Sequence, residues 1–325
     1  MFKKIKKEIV LIKNILNKMF KFMKTKNNYK FIHIYNFFLL RYLYTRPYFR
    51  FLIKGKKNIS NEICHDKEVE LNLDIEKVVK NLKSDTGYSI GHKIGESVVN
   101  KVIENYTTDI ENIEVDHQLK NFLESKNVSK QQLVKKQNES VQEYVNRIKN
   151  LGTHQIRFSD GKIFRENIVK KIIQSKPLTQ LATNYLNARK FNVINEMVIS
   201  LPKEENISRE ILKQSSQTFH RDLVSKNFFK AFIFLTDVNK NDGSHIYLEG
   251  SHKINLHHDS NKNDFEIEEM YNNCKRKEID GKKGDLFFGD TFCLHKGNKP
   301  VNNFRLLLIL TFFTGMSLQN LDKKN

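Results

Sequence analysis

The chain has 325 residues, 39% hydrophobic and 11% aromatic, enough to bury a sizeable core and too apolar to be disordered throughout. Its net charge of +19 is lopsided: residues 1–57 carry 16 lysines and arginines against one acid, Glu8, so most of the excess sits at one end and no nucleic-acid partner is expected of the remainder. Three cysteines, Cys64, Cys274 and Cys293, at no metal-like spacing exclude a disulfide framework or a zinc module and point to a reducing, cytoplasmic setting.

Along the first segment, Phe2, Ile5, Ile9, Ile12, Leu16, Met19 and Met23 recur at steps of three or four, with lysines between them, which predicts a basic amphipathic helix. The aromatic run that follows is interrupted by Arg41, Arg46 and Arg50, well short of the roughly 20 apolar residues a spanning helix needs. Residues 1–57 therefore read as an extension, with peripheral membrane contact and packing on the domain both open.

Residues 58–325 read as one catalytic-size domain. From about 58 to 189 the pattern is mostly helical. Ile94, Val98 and Val102 form one stripe, and a long polar helix opens at a Ser129 cap. Two shorter helices are separated by Pro177. From about 190 to 316 the character changes to short β-rich runs, among them "NFFKAFIFLTDV", "SHIYLEG", "GDLFFGD", "TFCLHKG" and "RLLLILTFF", each bounded by Gly, Asp or Asn. Such strands suggest a sandwich or jelly roll rather than a parallel sheet, so the expected fold is mainly β with a helical N-terminal half.

Within "QTFHRDLV", an extended chain puts His220 and Asp222 on one face and Arg221 on the other. Alone, that pair reads equally as a hydrogen-bonded surface pair. Of the downstream histidines, His245, His252, His257, His258 and His295, only His295 sits in a strand-like run that closes on a glycine turn. Two imidazoles and one carboxylate on β scaffold make the facial triad of non-haem Fe(II) oxygenases, with open positions for cosubstrate and oxygen. Arg305, opening an apolar strand, needs an anionic partner or an exposed position, and its planar fork suits the far carboxylate of a dicarboxylate. Ser251 and His252 read as a turn, Cys293 as a packed core thiol, and Glu196 and Gln217 as candidates for a pocket wall.

The ordered set "QTFHRD", "NDGSHIYLEGSHK", "GKKGDLFFGDTFCLHKGN" and "NFRLLLILTF", with "DTGYSIGHKI" before it, resembles the phytanoyl-CoA dioxygenase family of Fe(II)- and 2-oxoglutarate-dependent oxygenases over roughly Ser84 to Phe313. The resemblance implies a double-stranded β-helix, a cupin-like jelly roll flanked by helices. It implies His220, Asp222 and His295 as catalytic iron ligands and Arg305 as the 2-oxoglutarate anchor, with ascorbate as an accessory reductant. The implied reaction is hydroxylation of a small-molecule or lipid-like substrate by molecular oxygen, with release of succinate and carbon dioxide. Phe219 stands where members often carry tryptophan, and Gly297 where they often carry a hydroxyl, so the resemblance names no second 2-oxoglutarate contact. The alternatives are a non-catalytic cupin-like metal-binding protein and a nucleobase demethylase.

Overall fold

A computed structural model describes residues 69–108, 114–115, 124–125, 129–133, 135–136, 138–150, 154–159, 168–202, 209–222, 224–225, 227–254 and 262–314. The amphipathic and aromatic segments of residues 1–57, together with Cys64, His257 and His258, lie outside the described residues. Among the described residues no helix is long and apolar enough to cross a membrane.

The N-terminal half lays helices α1 (Ile75–Lys83), α2 (Glu96–Thr108), α3 (Val141–Lys149), α4 (Ile168–Gln174) and α5 (Lys176–Leu186) against a sheet. Asp74 caps α1 by accepting from the Lys77 N–H at 3.0 Å. Of the expected stripe, Val98 and Val102 are buried on α2 and Ile94 is buried just ahead of it. Pro177 sits in the first turn of α5, where a missing N–H costs nothing, so α4 and α5 are separate helices as their spacing predicts. The long helix expected from Ser129 is different: Ser129 precedes only a 3₁₀ turn, Lys130–Leu133. The α-helix begins at Ser140, whose Oγ accepts from Glu143 N–H while the Glu143 carboxylate accepts from Ser140 N–H. That reciprocal cap lies directly ahead of the buried stripe Tyr144, Val145 and Ile148, so packing selects the second of two cap signals.

Two antiparallel sheets follow. The larger contains β1 (Tyr88–Lys93), β2 (Glu114–Val115), β3 (Gln155–Ser159), β4 (Asn192–Ser200), β5 (Phe228–Phe234), β8 (Asp285–Gly289) and β10 (Arg305–Phe313), in the order β1-β8-β5-β10-β4-β3-β2. The smaller contains β6 (His245–Leu248), β7 (Arg276–Ile279) and β9 (His295–Gly297), in the order β7-β6-β9. Short helices α6 (Arg209–Gln214) and α7 (Asp264–Met270) and the 3₁₀ turns Lys240–Asp242 and Ser251–Lys253 lie between these strands. Three strands arise inside the stretch read as mostly helical. β3 is the instructive one: Ile156 and Phe158 are buried on one face while Gln155 and Arg157 take the other, a period of two over too few residues to stand out among helices. β7 also went unread, because its sequence Arg-Lys-Glu-Ile carries almost no apolar signal; it is an edge strand.

Alternation then sorts the side chains of the larger sheet. Met197, Ile199, Phe229, Ala231, Ile233, Leu306, Leu308, Leu310 and Phe312 join Val78, Leu82, Val102, Ile148 and Leu181 from the helices in one core cluster. Val198, Phe232, Phe234, Phe287, Leu307 and Ile309 face the other way and pack with Tyr247 and Ile279 of the smaller sheet. The smaller sheet is covered in turn on its outside, where Phe219, Ile246, Leu248 and Leu294 meet Ile267 of α7 and Tyr271. Burying each such side chain contributes about 1.5–3 kcal/mol. The space between the two sheets is where the polar residues collect.

Candidate metal centre

His220 belongs to no regular strand. It forms a single antiparallel bridge with His295, each N–H donating to the other's carbonyl at 3.0 Å. Residues directly opposite in such a pair share a face, and the two rings stand 4.3 Å apart between centroids. Asp222 N–H donates to Thr291 O at 2.9 Å, keeping the segment extended alongside residues 291–295. Arg221 points away, its Nη1 donating to Phe292 O at 2.8 Å and its Nη2 to Tyr271 Oη at 3.1 Å. The expected two-residue alternation thus holds without a strand.

One ligand-capable atom from each of His220, Asp222 and His295 lies within 4.8 Å of the other two, the one such cluster among the described residues. His220 Nε2 is 3.9 Å from Asp222 Oδ1, and His295 Nε2 is 3.4 Å from Asp222 Oδ2. Each imidazole turns its other nitrogen to a backbone carbonyl, Nδ1 of His220 to Thr218 O and Nδ1 of His295 to Cys293 O, both at 2.9 Å. A ring that donates through Nδ1 presents the Nε2 lone pair, the arrangement that orients metal-binding histidines. Burial, followed by the neighbouring His295, pushes His220 down to about 3, so its ring is neutral and free to donate electrons. Burial opposes the charge on Asp222, but the nearby Lys230, followed by the adjacent His295 ring, outweighs it and holds the carboxyl well below its usual range. Lys230 Nζ, on β5, stands 2.8 Å from Asp222 Oδ2. Two nitrogen donors and an anionic oxygen suit a borderline divalent ion such as Fe(II).

The cluster opens into a cavity of about 140 Å³ between the sheets. Lys230 and Phe232 of β5, Glu196 and Val198 of β4, and Arg305, Leu307 and Ile309 of β10 form its far wall. Register makes that wall: Lys230 lies opposite Thr311, Phe232 and Glu196 flank Ile309, and Ser200 lies opposite Arg305. Arg305 is 3% exposed. Its Nη2 donates to Ser200 Oγ at 3.2 Å and its Nη1 to the carbonyl of Gly243, while Nε has no partner. Among the described residues no carboxylate pairs with it. Burial, followed by Arg157, draws its pKa down to about 10, which leaves it charged at neutral pH. A buried guanidinium beside an open cavity is a place for an anion.

All four expected residues, His220, Asp222, His295 and Arg305, line this one cavity. Glu196 lines it as well; Gln217 is buried outside its wall. Cys293 packs elsewhere, its Sγ 2.7 Å from His252 Nδ1, and burial raises its thiol far above the usual range, which fits the core reading. Sequence reasoning missed Lys230 and Arg157, and it weighed His245 only as a metal ligand, setting it aside for His295. The signal for Lys230 was present: a lone lysine in the apolar run "NFFKAFIF" must find an anion when the strand is buried. Arg157, whose Nη1 is 3.7 Å from Glu196 Oε2, was hidden in a stretch read as helical.

A model of the phytanoyl-CoA dioxygenase family matches residues 94–303, more than half of the chain. No curated protein sequence matches the chain. Similar solved structures include the non-haem α-ketoglutarate-dependent epimerase SnoN from nogalamycin biosynthesis, 12% identical with a TM-score of 0.48, covering 74% of this chain and 80% of that one. Another is the α-ketoglutarate-dependent carbocyclase SnoK of the same biosynthesis, 12% identical with a TM-score of 0.44, covering 81% and 88%. A third is HygX from Streptomyces hygroscopicus with nickel, 2-oxoglutarate and hygromycin B bound, 13% identical with a TM-score of 0.45, covering 73% and 86%.

Proposed function

The chain belongs to the phytanoyl-CoA dioxygenase family, and from that premise we propose that it hydroxylates a C–H bond of a small-molecule or lipid-like substrate. Fe(II) and 2-oxoglutarate are the cofactors that go with the family. The observation that carries the reading is the convergence of one ligand-capable atom from each of His220, Asp222 and His295 within 4.8 Å, in a cavity whose far wall holds the buried cation Arg305. In this reading His220, Asp222 and His295 hold the metal and Arg305 anchors the far carboxylate of 2-oxoglutarate.

When bound, the iron and 2-oxoglutarate supply the oxidising chemistry: oxygen enters the substrate C–H bond as 2-oxoglutarate is decarboxylated to succinate and carbon dioxide. The chain's own work is positioning and shielding. The carbonyls of Thr218 and Cys293 fix the imidazole rings, Lys230 stabilises the ionised Asp222, and Phe232, Leu307 and Ile309 keep water from the wall between metal and anchor.

We read the two sheets as a double-stranded β-helix. Support comes from the chain order, in which β4, the His220 bridge, β5, β6, β7, β8, β9 and β10 pass between larger and smaller sheet. Residues 58–325 then form the oxygenase domain, in a cytoplasmic setting, and residues 1–57 a separate extension whose membrane contact is tested by cosedimentation with anionic vesicles. The function itself is tested by anaerobic addition of Fe(II) and 2-oxoglutarate. A visible metal-to-ligand charge-transfer band, followed under oxygen by succinate release, is expected. Iron uptake with no effect of 2-oxoglutarate would instead favour a non-catalytic metal-binding protein.

A further inference from the structure

We propose that His245 is the second contact for the far carboxylate of 2-oxoglutarate, donating an N–H to it beside Arg305 from the strand that faces the bare backbone of Gly297. The inference rests on the function proposed above and adds to it a positioning residue that no spacing in the sequence marks.

Register puts the pieces together. On β6 and β9, His245 lies opposite Gly297 and Tyr247 opposite His295, so His245 and Gly297 share a row next to the row of the metal-binding histidines. The guanidinium of Arg305 fills the space over Gly297: a carbon added there would stand 2.8 Å from Nη2 and 3.1 Å from Nη1. No side chain at position 297 can therefore reach an anion held by Arg305. Arg305 Nη1 also donates to the carbonyl of Gly243, two residues before His245, which ties the anchor to the start of β6. A second donor beside Arg305 can come instead from the neighbouring strand β6, where His245 lies opposite Gly297.

His245 has the chemistry for it. The ring is 5% exposed, lines the cavity, and has no partner at either Nδ1 or Nε2. It cannot swing away to find one. Its centroid is 4.8 Å from Phe232, 5.4 Å from Phe287, and 5.4 Å from His295, to which it is nearly parallel. A buried imidazole with both nitrogens unsatisfied costs stability unless a ligand completes it. Of the cations that line the cavity with it, Lys230 is paired with Asp222 and Arg157 with Glu196, while Arg305 has no carboxylate partner among the described residues, so the ligand that suits this end is an anion. A neutral imidazole carries one N–H donor, enough for one carboxylate oxygen, while the fork of Arg305 takes the other.

The test uses the full chain with Mn(II) in place of iron and calorimetric titration with two keto acids, 2-oxoglutarate and 2-oxopentanoate, the second lacking the far carboxylate. His245→Leu should weaken 2-oxoglutarate by about 10- to 100-fold, the loss of one hydrogen bond to a charged group. It should leave Mn(II) and 2-oxopentanoate binding unchanged, and His245→Gln, which keeps a donor, should recover most of the loss. Unchanged 2-oxoglutarate affinity in the leucine variant overturns the proposal, as does an equal loss for both keto acids or for Mn(II), which would place His245 at the metal end or in the packing. A glutamine variant as weak as the leucine one assigns the effect to ring packing and also overturns it. A wild type that takes up Mn(II) but no 2-oxoglutarate sinks the proposed function first, and the contact with it.

Discussion

The two faces of the larger sheet are built from alternate residues of the same strands yet do different work. Toward the helices, β10 presents Leu306, Leu308, Leu310 and Phe312, and β5 presents Phe229, Ala231 and Ile233, all in one apolar cluster. Toward the cavity, the same strands present Arg305, Leu307, Ile309 and Thr311, and Lys230 and Phe232. The pleat allows it, since a residue's neighbours in sequence point the other way. A strand can therefore place charges on the cavity side while its other side keeps the sheet on the helices.

Breaking the metal end of the cavity face should have the largest effect. His220→Ala, Asp222→Ala and His295→Ala are each expected to abolish metal retention and succinate formation, because two remaining donors hold a labile divalent ion poorly. Metal analysis after desalting, with circular dichroism as the check on fold, reads this out; full metal content in any one of the three would remove that residue from the site.

On the opposite face, Leu308→Ala should cost about 2–5 kcal/mol of stability through the cavity it leaves in the helix-facing core. Metal binding per folded molecule should not change. Urea unfolding beside a metal titration separates the two quantities, and a coupled loss would mean that the faces are not independent.

Arg305→Leu sharpens the contrast from the cavity side. It is expected to weaken 2-oxoglutarate by about one to three decades, the loss of a charge-assisted contact in a buried site. Stability without ligand should stay level or rise, since an apolar side chain replaces a buried guanidinium whose Nε has no partner. Ligand-free unfolding and 2-oxoglutarate titration of the same sample decide it.

The smallest effect is expected at Asp290, just beyond β8. Burial raises its carboxyl to about 6, against hydrogen bonds from Phe292 N–H and Tyr185 Oη–H. An acid whose folded pKa is raised gives stability that is present below its unfolded value, near 3.8, and lost as pH rises through about 6. Asp290→Asn should flatten stability across that window and exceed wild type at pH 7 by about 1–3 kcal/mol. Urea midpoints at pH 4, 5 and 7 test it; parallel curves for the two proteins would refute the assignment.

Much of the fold was legible where one face of an element is buried and the other is not, as on α2, or where a strand is buried on both faces, as on β10. Strands with weak patterns were not. β7 is charged and at an edge, and β3 holds only two buried apolar residues among helices. For the site, the two-residue step of His220 and Asp222, the glycine-closed run of His295 and the misplaced charge of Arg305 were enough to nominate four residues that one cavity brings together.

By itself, then, the sequence determined the alternation along each strand and the residue types able to bind metal and anion, because both depend on neighbours one to four positions away. Only the tertiary structure decided that Lys230 meets Asp222, that Arg157 borders the cavity, and that His245 lies across from Gly297 with both nitrogens unpartnered. Those contacts depend on which strands pair and in what register. Pairing is fixed by burial of the whole sheet between two layers, a property of residues far apart in the chain.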